Sequence, residues 1–149
     1  MNRMKKHNIF LIFILLIAGC SKTVSMFPTS GPIKQNKQSQ VLIATVENIT
    51  SNSGPFSVTY PDGDVCKGRW ASIAPQMVSM GWGNLFSQYG NVAGTFTSVS
   101  NLPGVNRGEA MAICQSGNQL KVEFLTGSGT ANGTGIAVDD KGNVFKLIF

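Results

Sequence analysis

Few side chains in this chain of 149 residues can do acid–base, nucleophilic or metal chemistry, so their positions decide which chemistry is open to it. They comprise three cysteines (Cys20, Cys66, Cys114), a single histidine (His7) and two close acidic pairs, Asp62/Asp64 and Asp139/Asp140. Paired carboxylates can serve a glycosidase or bind calcium. Both pairs, however, sit in the turn-like stretches Pro61-Asp62-Gly63-Asp64 and Asp139-Asp140-Lys141-Gly142-Asn143, where aspartate is favoured because its side chain caps local backbone N–H groups. Neither pair is followed by the further oxygen ligands of a calcium loop, so both read as turn formers and not as a metal site. The glycine-rich run Gly127 to Gly135 (GSGTANGTG) invites comparison with a phosphate loop. That chemistry needs a helix after the loop and, in the Walker form, a Lys-Ser/Thr pair, and the run leads instead into another short apolar segment. It reads as a connection between strands, small enough in its residues to enter a partner's cleft.

The histidine and one cysteine belong to the first twenty residues. Arg3, Lys5 and Lys6 form a basic head, and Ile9 to Ala18 is an apolar run of ten residues. At about 1.5 Å per helical residue such a run covers roughly half of a hydrocarbon core about 30 Å thick, which suits the core of a signal peptide and not a membrane span. The run ends in Leu16-Ile17-Ala18-Gly19-Cys20, which resembles the bacterial lipobox. The resemblance implies cleavage before Cys20, a diacylglycerol on its sulfur and, in Gram-negative species, an acyl group such as palmitate on the new amine. Several acyl chains together make attachment effectively permanent. Ser21, where a retention signal has an acidic residue, implies sorting to the outer membrane, with the periplasmic face preferred over the cell surface.

Loss of residues 1–19 changes what the remaining 130 can do. The formal charge of +5 falls to +2, and residues 40–149 carry six basic and seven acidic groups, so the basic balance is no argument for a nucleic-acid partner. No histidine is left for a catalytic triad, a histidine zinc site or imidazole acid–base work. With Cys20 acylated, Cys66 and Cys114 form an even pair in an oxidising compartment, which suggests a disulfide; two separately buried thiols are the alternative. No catalytic residue, cofactor or metal is assigned.

Those cysteines must be positioned by the elements around them. Residues 20–40 are polar, with Pro28, Gly31 and Pro32, and read as a flexible acylated tether. From Val41 the chain turns into short β-like runs, making 41–149 a single β-rich domain. Phe56, Val58 and Tyr60 share one face of a strand, and a Pro-Asp-Gly-Asp turn leads to Val65–Ala71, with Cys66, Gly68 and Trp70 on one face and Lys67 and Arg69 on the other. That basic pair beside Trp70 is either a cation–π patch or an ordinary solvated face. Residues 72–91 form an ambiguous excursion in which Pro75–Met80 can begin a short helix ended by Gly81-Trp82-Gly83. Its Trp82, Leu85, Phe86 and Tyr89 either cover an open end of the fold or offer an aromatic surface to a partner, and burial is the favoured outcome. Further strands follow at Ala93–Ser100, Gly108–Gln115, Gln119–Thr126 (Leu120, Val122 and Phe124 inward), Ile136–Val138 and Val144–Phe149 (Phe145, Leu147 and Phe149 on one face). Seven or eight short strands with few helices predict an all-β fold, a small antiparallel β-barrel or sandwich. The turns at Asp62-Gly63-Asp64 and Lys141-Gly142-Asn143 hint at similar halves.

The lipobox, the cysteine pair, Gly68-Arg69-Trp70 and the closing segment Gly135 to Lys146 together resemble small proteobacterial outer-membrane lipoproteins of uncharacterised family. A looser similarity links the chain to membrane-bound C-type lysozyme inhibitors, whose Ser-Gly loop plugs the enzyme cleft; Ser128 and Gly129 are the matching residues. The expectation is a non-enzymatic binding or structural module of the envelope, held to the membrane by lipid on Cys20 and open to a protein partner. The alternative is a periplasmic lysozyme inhibitor working through Gly127–Gly135. A carboxylate hydrolase would need two acids converging in a pocket.

Overall fold

A computed structural model describes residues 20–36, 40–73, 83–94 and 104–149. Eight strands, β1 (Ser21–Ser30), β2 (Leu42–Glu47), β3 (Ser53–Thr59), β4 (Val65–Ile73), β5 (Val105–Cys114), β6 (Gln119–Gly127), β7 (Gly133–Asp139) and β8 (Val144–Ile148), form a closed barrel in chain order. Every neighbouring pair is antiparallel, and β8 returns to β1 to close the ring. Closure removes the edges that an open sheet would expose. A four-residue turn of helix, α1 (Pro32–Gln35), follows β1, and a ten-residue helix, α2 (Asn84–Ala93), lies between β4 and β5.

The alternation read from the sequence selects the inner face. Phe56, Val58, Cys66, Trp70, Leu120, Val122, Phe145 and Leu147 are all buried in one interior cluster, while Lys67, Arg69 and Lys121 between them face out and are exposed. Cys66 stands directly opposite Cys114 on neighbouring strands, and the two form a disulfide.

Two expectations are corrected. Residues 21–30 are not part of a flexible tether; they are β1, hydrogen-bonded to β2 over Ser21–Met26 and to β8 over Ser25–Ser30. Val24 and Met26, at 3% and 0% exposure, alternate in burial with Thr23, Ser25 and Phe27, so this segment buries an apolar face and orders for the same reason as the other strands. Pro28, which lacks an N–H, sits at the register shift between Pro28 and Ser30 where it costs little. The barrel's first strand therefore begins at Ser21.

The second correction concerns the excursion after β4. Gly83 immediately precedes a helix, and Ala93, expected to open a strand, is the last residue of α2, which Gly94 ends in a left-handed conformation at φ 64°. The expected helix at 75–80, the strand residues 95–100 and Trp82 lie outside the described residues. Helix α2 lies along the outside wall: Phe86 and Ala93 are buried against Ile136 and Val144 on the outer faces of β7 and β8, with Leu85 and Tyr89 packed beside them. Phe86, 1% exposed, and the half-buried Tyr89 thus neither cover the barrel's end nor form the exposed aromatic surface considered for them.

Glu123 is what fixes this helix. It points outward from β6, as alternation requires, yet is only 7% exposed, because its carboxylate accepts hydrogen bonds from the backbone N–H groups of Gly83 (3.1 Å), Leu85 (3.1 Å) and Phe86 (3.3 Å) at the start of α2. A helix start has unpaired N–H groups and a partial positive charge, and a carboxylate there meets both needs. Burial holds the Glu123 carboxyl above its ordinary range, partly opposed by those hydrogen bonds.

Candidate functional site

The two ends of the barrel are built differently, and the difference creates the site. At one end the hairpins β3–β4, β5–β6 and β7–β8 share one hydrogen-bonding scheme. Tyr60 N–H donates to Asp64 O and Gly63 N–H to Tyr60 O; the same pattern joins Cys114 with Asn118 and Gly117, and Asp139 with Asn143 and Gly142. The repeated glycine stands at φ 85°, 86° and 80° respectively, the left-handed position that such a three-residue turn requires. The similarity hinted at by two turns in the sequence is thus shared by three.

Buried polar groups close this end. The Tyr60 hydroxyl donates to Asp139 Oδ2 at 3.0 Å, and Asn143 donates to the same carboxylate from its backbone N (2.9 Å) and Nδ2 (2.8 Å). Asn143 Oδ1 in turn accepts from Ile33 N in α1 at 2.8 Å, which holds Ile33 against the interior cluster. Burial, followed by the adjacent Asp139 carboxylate, pushes the Tyr60 phenol well above its ordinary range. Asp64 is held below the usual carboxylate range by the Ser116 hydroxyl that donates to it, and it also accepts from Ser116 N. The acidic pairs are therefore turn and capping groups, as their sequence context implies.

The other end opens into the interior. A cavity of about 590 Å³ runs from the buried Val24, Phe56, Val122 and Leu147 to a rim of exposed Thr50, Asn52, Gly129 and Thr130. An eight-stranded barrel is just wide enough either to be filled by its own side chains or to hold one small ligand. Ala110, which lines the hollow, presents only a methyl group there, and Gly108, Ala112, Gly135 and Ala137 likewise present little or no side chain on the inward face of β5 and β7. Large residues fill only part of the space so left. A Cβ at Gly108 would lie 2.1 Å from the ring of Phe124, so this glycine admits the ring. Phe124 meets Trp70 and Phe149 edge-on, with centroids 6.4 and 6.0 Å apart, forming one aromatic wall. The Trp70 indole N–H donates to Glu47 O at 2.8 Å, which fixes the ring and leaves its faces apolar.

One charged side chain stands at the rim among the described residues. Lys22, half-buried on β1, donates from Nζ to Ala131 O at 2.8 Å and Asn132 Oδ1 at 2.7 Å, so its ammonium is met by neutral oxygens of the β6–β7 turn. Among the described residues that line the cavity, Lys22 is the one titratable side chain. Among the described residues the rim is formed by that turn, residues 128–132, and the β2–β3 loop, residues 48–52.

The residues singled out in the sequence distribute as follows. Ser128 and Gly129 are exposed on the rim, with Ser128 N–H bound to Gly104 O. Cys66 and Cys114 stand at the closed end, and Cys20 is exposed at the open end, where its carbonyl accepts from Ile49 N at 3.5 Å. Lys22, Trp70 as a cavity wall, Phe124 and Phe149 were not singled out as site residues; the inward alternation of Phe124 and Phe149 with Leu147 was the available signal. Comparison with protein-family models, curated proteins and solved structures found no match.

Proposed function

We propose that this protein is a lipid-anchored envelope module that binds a small apolar ligand inside its barrel without transforming it. The observation that carries the reading is the cavity: apolar, walled by aromatics, open at one end, and with Lys22 as its one titratable side chain among the described lining residues. Binding sites of this kind are concave, mostly apolar and furnished with a few polar groups that orient the occupant. General acid–base work needs a proton donor or acceptor within reach of the reacting atoms, and the carboxylates of Asp64, Glu123 and Asp139 are engaged at the closed end or on the outer wall. The anchor is the lipid that the lipobox implies on Cys20. Titration with an apolar dye whose emission rises on desolvation tests the binding, with Ala110→Leu as the filled-cavity control; metabolic labelling with palmitate, absent in Cys20→Ala, tests the anchor.

A second reading, inhibition of a muramidase, draws on the exposure of Ser128, Gly129 and Thr130 on a turn between two paired strands. Undiminished lysozyme activity at micromolar excess of this protein excludes it.

A further inference from the structure

The geometry points to a more specific occupant: we infer that the cavity takes the acyl chain of a single-chain anionic lipid, received from the membrane to which the protein is fastened, with the anionic head at Lys22. This rests on the proposed reading that the barrel binds an apolar ligand and that Cys20 carries the anchor.

Three observations combine. First, Cys20 immediately precedes β1, whose pairing already begins at Ser21 with Glu47. No slack separates the anchor from the barrel, because an extended residue spans only about 3.5 Å. Second, β1 enters at the cavity's own end. Lys22, two residues from Cys20, lines the mouth, and Ile49, which bonds to the Cys20 carbonyl, lines it as well. A lipid on Cys20 therefore turns the mouth toward the bilayer surface, and the closed end with its disulfide away from it. An apolar ligand then reaches the cavity without crossing bulk water.

Third, the polarity gradient along the cavity matches one amphiphile. Its depth is Val24, Phe56, Val122, Phe124 and Leu147, and its rim is hydroxyls, amides and one ammonium. A single acyl chain fills such a depth with methylenes and leaves its head at the rim. There a carboxylate or phosphate can replace the two neutral oxygens that now hold Lys22 Nζ, with the strength of a charge-assisted hydrogen bond.

The test uses the full chain, produced from its own leader and reconstituted in phosphatidylcholine vesicles, with cis-parinaric acid as the fluorescent probe. Saturated fatty acids from octanoic upward, and the matching alcohols, compete for the probe. Expected are displacement that strengthens about fourfold per added methylene until the cavity is full, and acids about tenfold stronger than alcohols of equal length. Lys22→Met should abolish that acid preference while leaving alcohol binding in place. Ala110→Leu or Val46→Phe should weaken the probe at least tenfold, each checked for an unchanged unfolding midpoint. Probe release from donor vesicles should be faster for the anchored chain than for Cys20→Ser added from solution.

The failures are distinguishable. No probe binding by any form overturns the binding reading itself. Binding that acids and alcohols compete for equally, or an acid preference that survives Lys22→Met, overturns the anionic head alone. Uptake that does not depend on Cys20 overturns the route from the membrane.

Discussion

The two ends of the barrel divide the labour of the molecule. At the closed end three hairpins of one pattern, a disulfide and the hydrogen-bonded Tyr60–Asp139–Asn143 cluster tie the strands together. At the open end the rim side chains of Thr50, Asn52 and Thr130 are exposed, and the interior below them is hollow. Sites that receive ligands are drawn from regions of low local stability, and here that region is bounded by a stiff base. Packing one end tightly is what allows the other to be left open.

The comparison can be broken most severely at the base. Replacing Cys66 and Cys114 by alanine releases a cross-link of sequence separation 48, for which chain-entropy models give about 4 kcal/mol; denaturant midpoints of oxidised and variant protein measure it. Asp139→Ala leaves the Tyr60 hydroxyl and two Asn143 donors without their acceptor in a buried setting and should cost about 3 kcal/mol. Tyr60 adds a pH signature. Its native phenol holds the proton more tightly than the unfolded one, whose ordinary value is 10.0, so stability should fall as pH rises above 10, and Tyr60→Phe should lose that fall.

The side wall gives an intermediate effect. Glu123→Ala strips the start of α2 of its acceptor and should cost about 2 kcal/mol, read from the same denaturation curves. The native Glu123 carboxyl lies above its ordinary 4.5, so the folded state favours the protonated form. Stability from this group declines as pH rises from 4.5 through the native value, and Glu123→Gln should flatten that slope. Smallest of all should be changes on the rim. Thr50→Ala and Ser128→Ala remove exposed side chains and should shift stability by less than about 0.5 kcal/mol. A large loss at the rim, or none at the base, would contradict the division described above.

Much of the barrel was readable from period-two alternation, because inward positions such as Cys66, Gly68 and Trp70 or Leu120, Val122 and Phe124 differ sharply in polarity from their neighbours. β1 was obscured by its outward polar residues and by Pro28, although Val24 and Met26 keep the same alternation. α2 was obscured by Gly83, Gly90 and Gly94, of which the first and last flank the helix and the middle one is buried within it. Nothing local to Glu123 announces that a helix start will settle on it from 40 residues upstream. The cavity was not legible at all. A hollow depends on side-chain volumes summed across eight strands, and no single glycine or alanine reveals it.

Closure of β1 onto β8 also shapes how the protein is made. Seven of the eight strand pairings join sequence neighbours, but Ser25 and Ile148 lie almost the whole domain apart. A chain delivered N-terminus first can assemble the meander hairpin by hairpin, yet its first strand keeps one unpaired edge until the last strand arrives. Because the entropy of bringing those ends together must be met before their contacts stabilise anything, ring closure belongs to the final stage of folding. The interval before it is when the growing chain is most exposed to edge-to-edge association with its own copies.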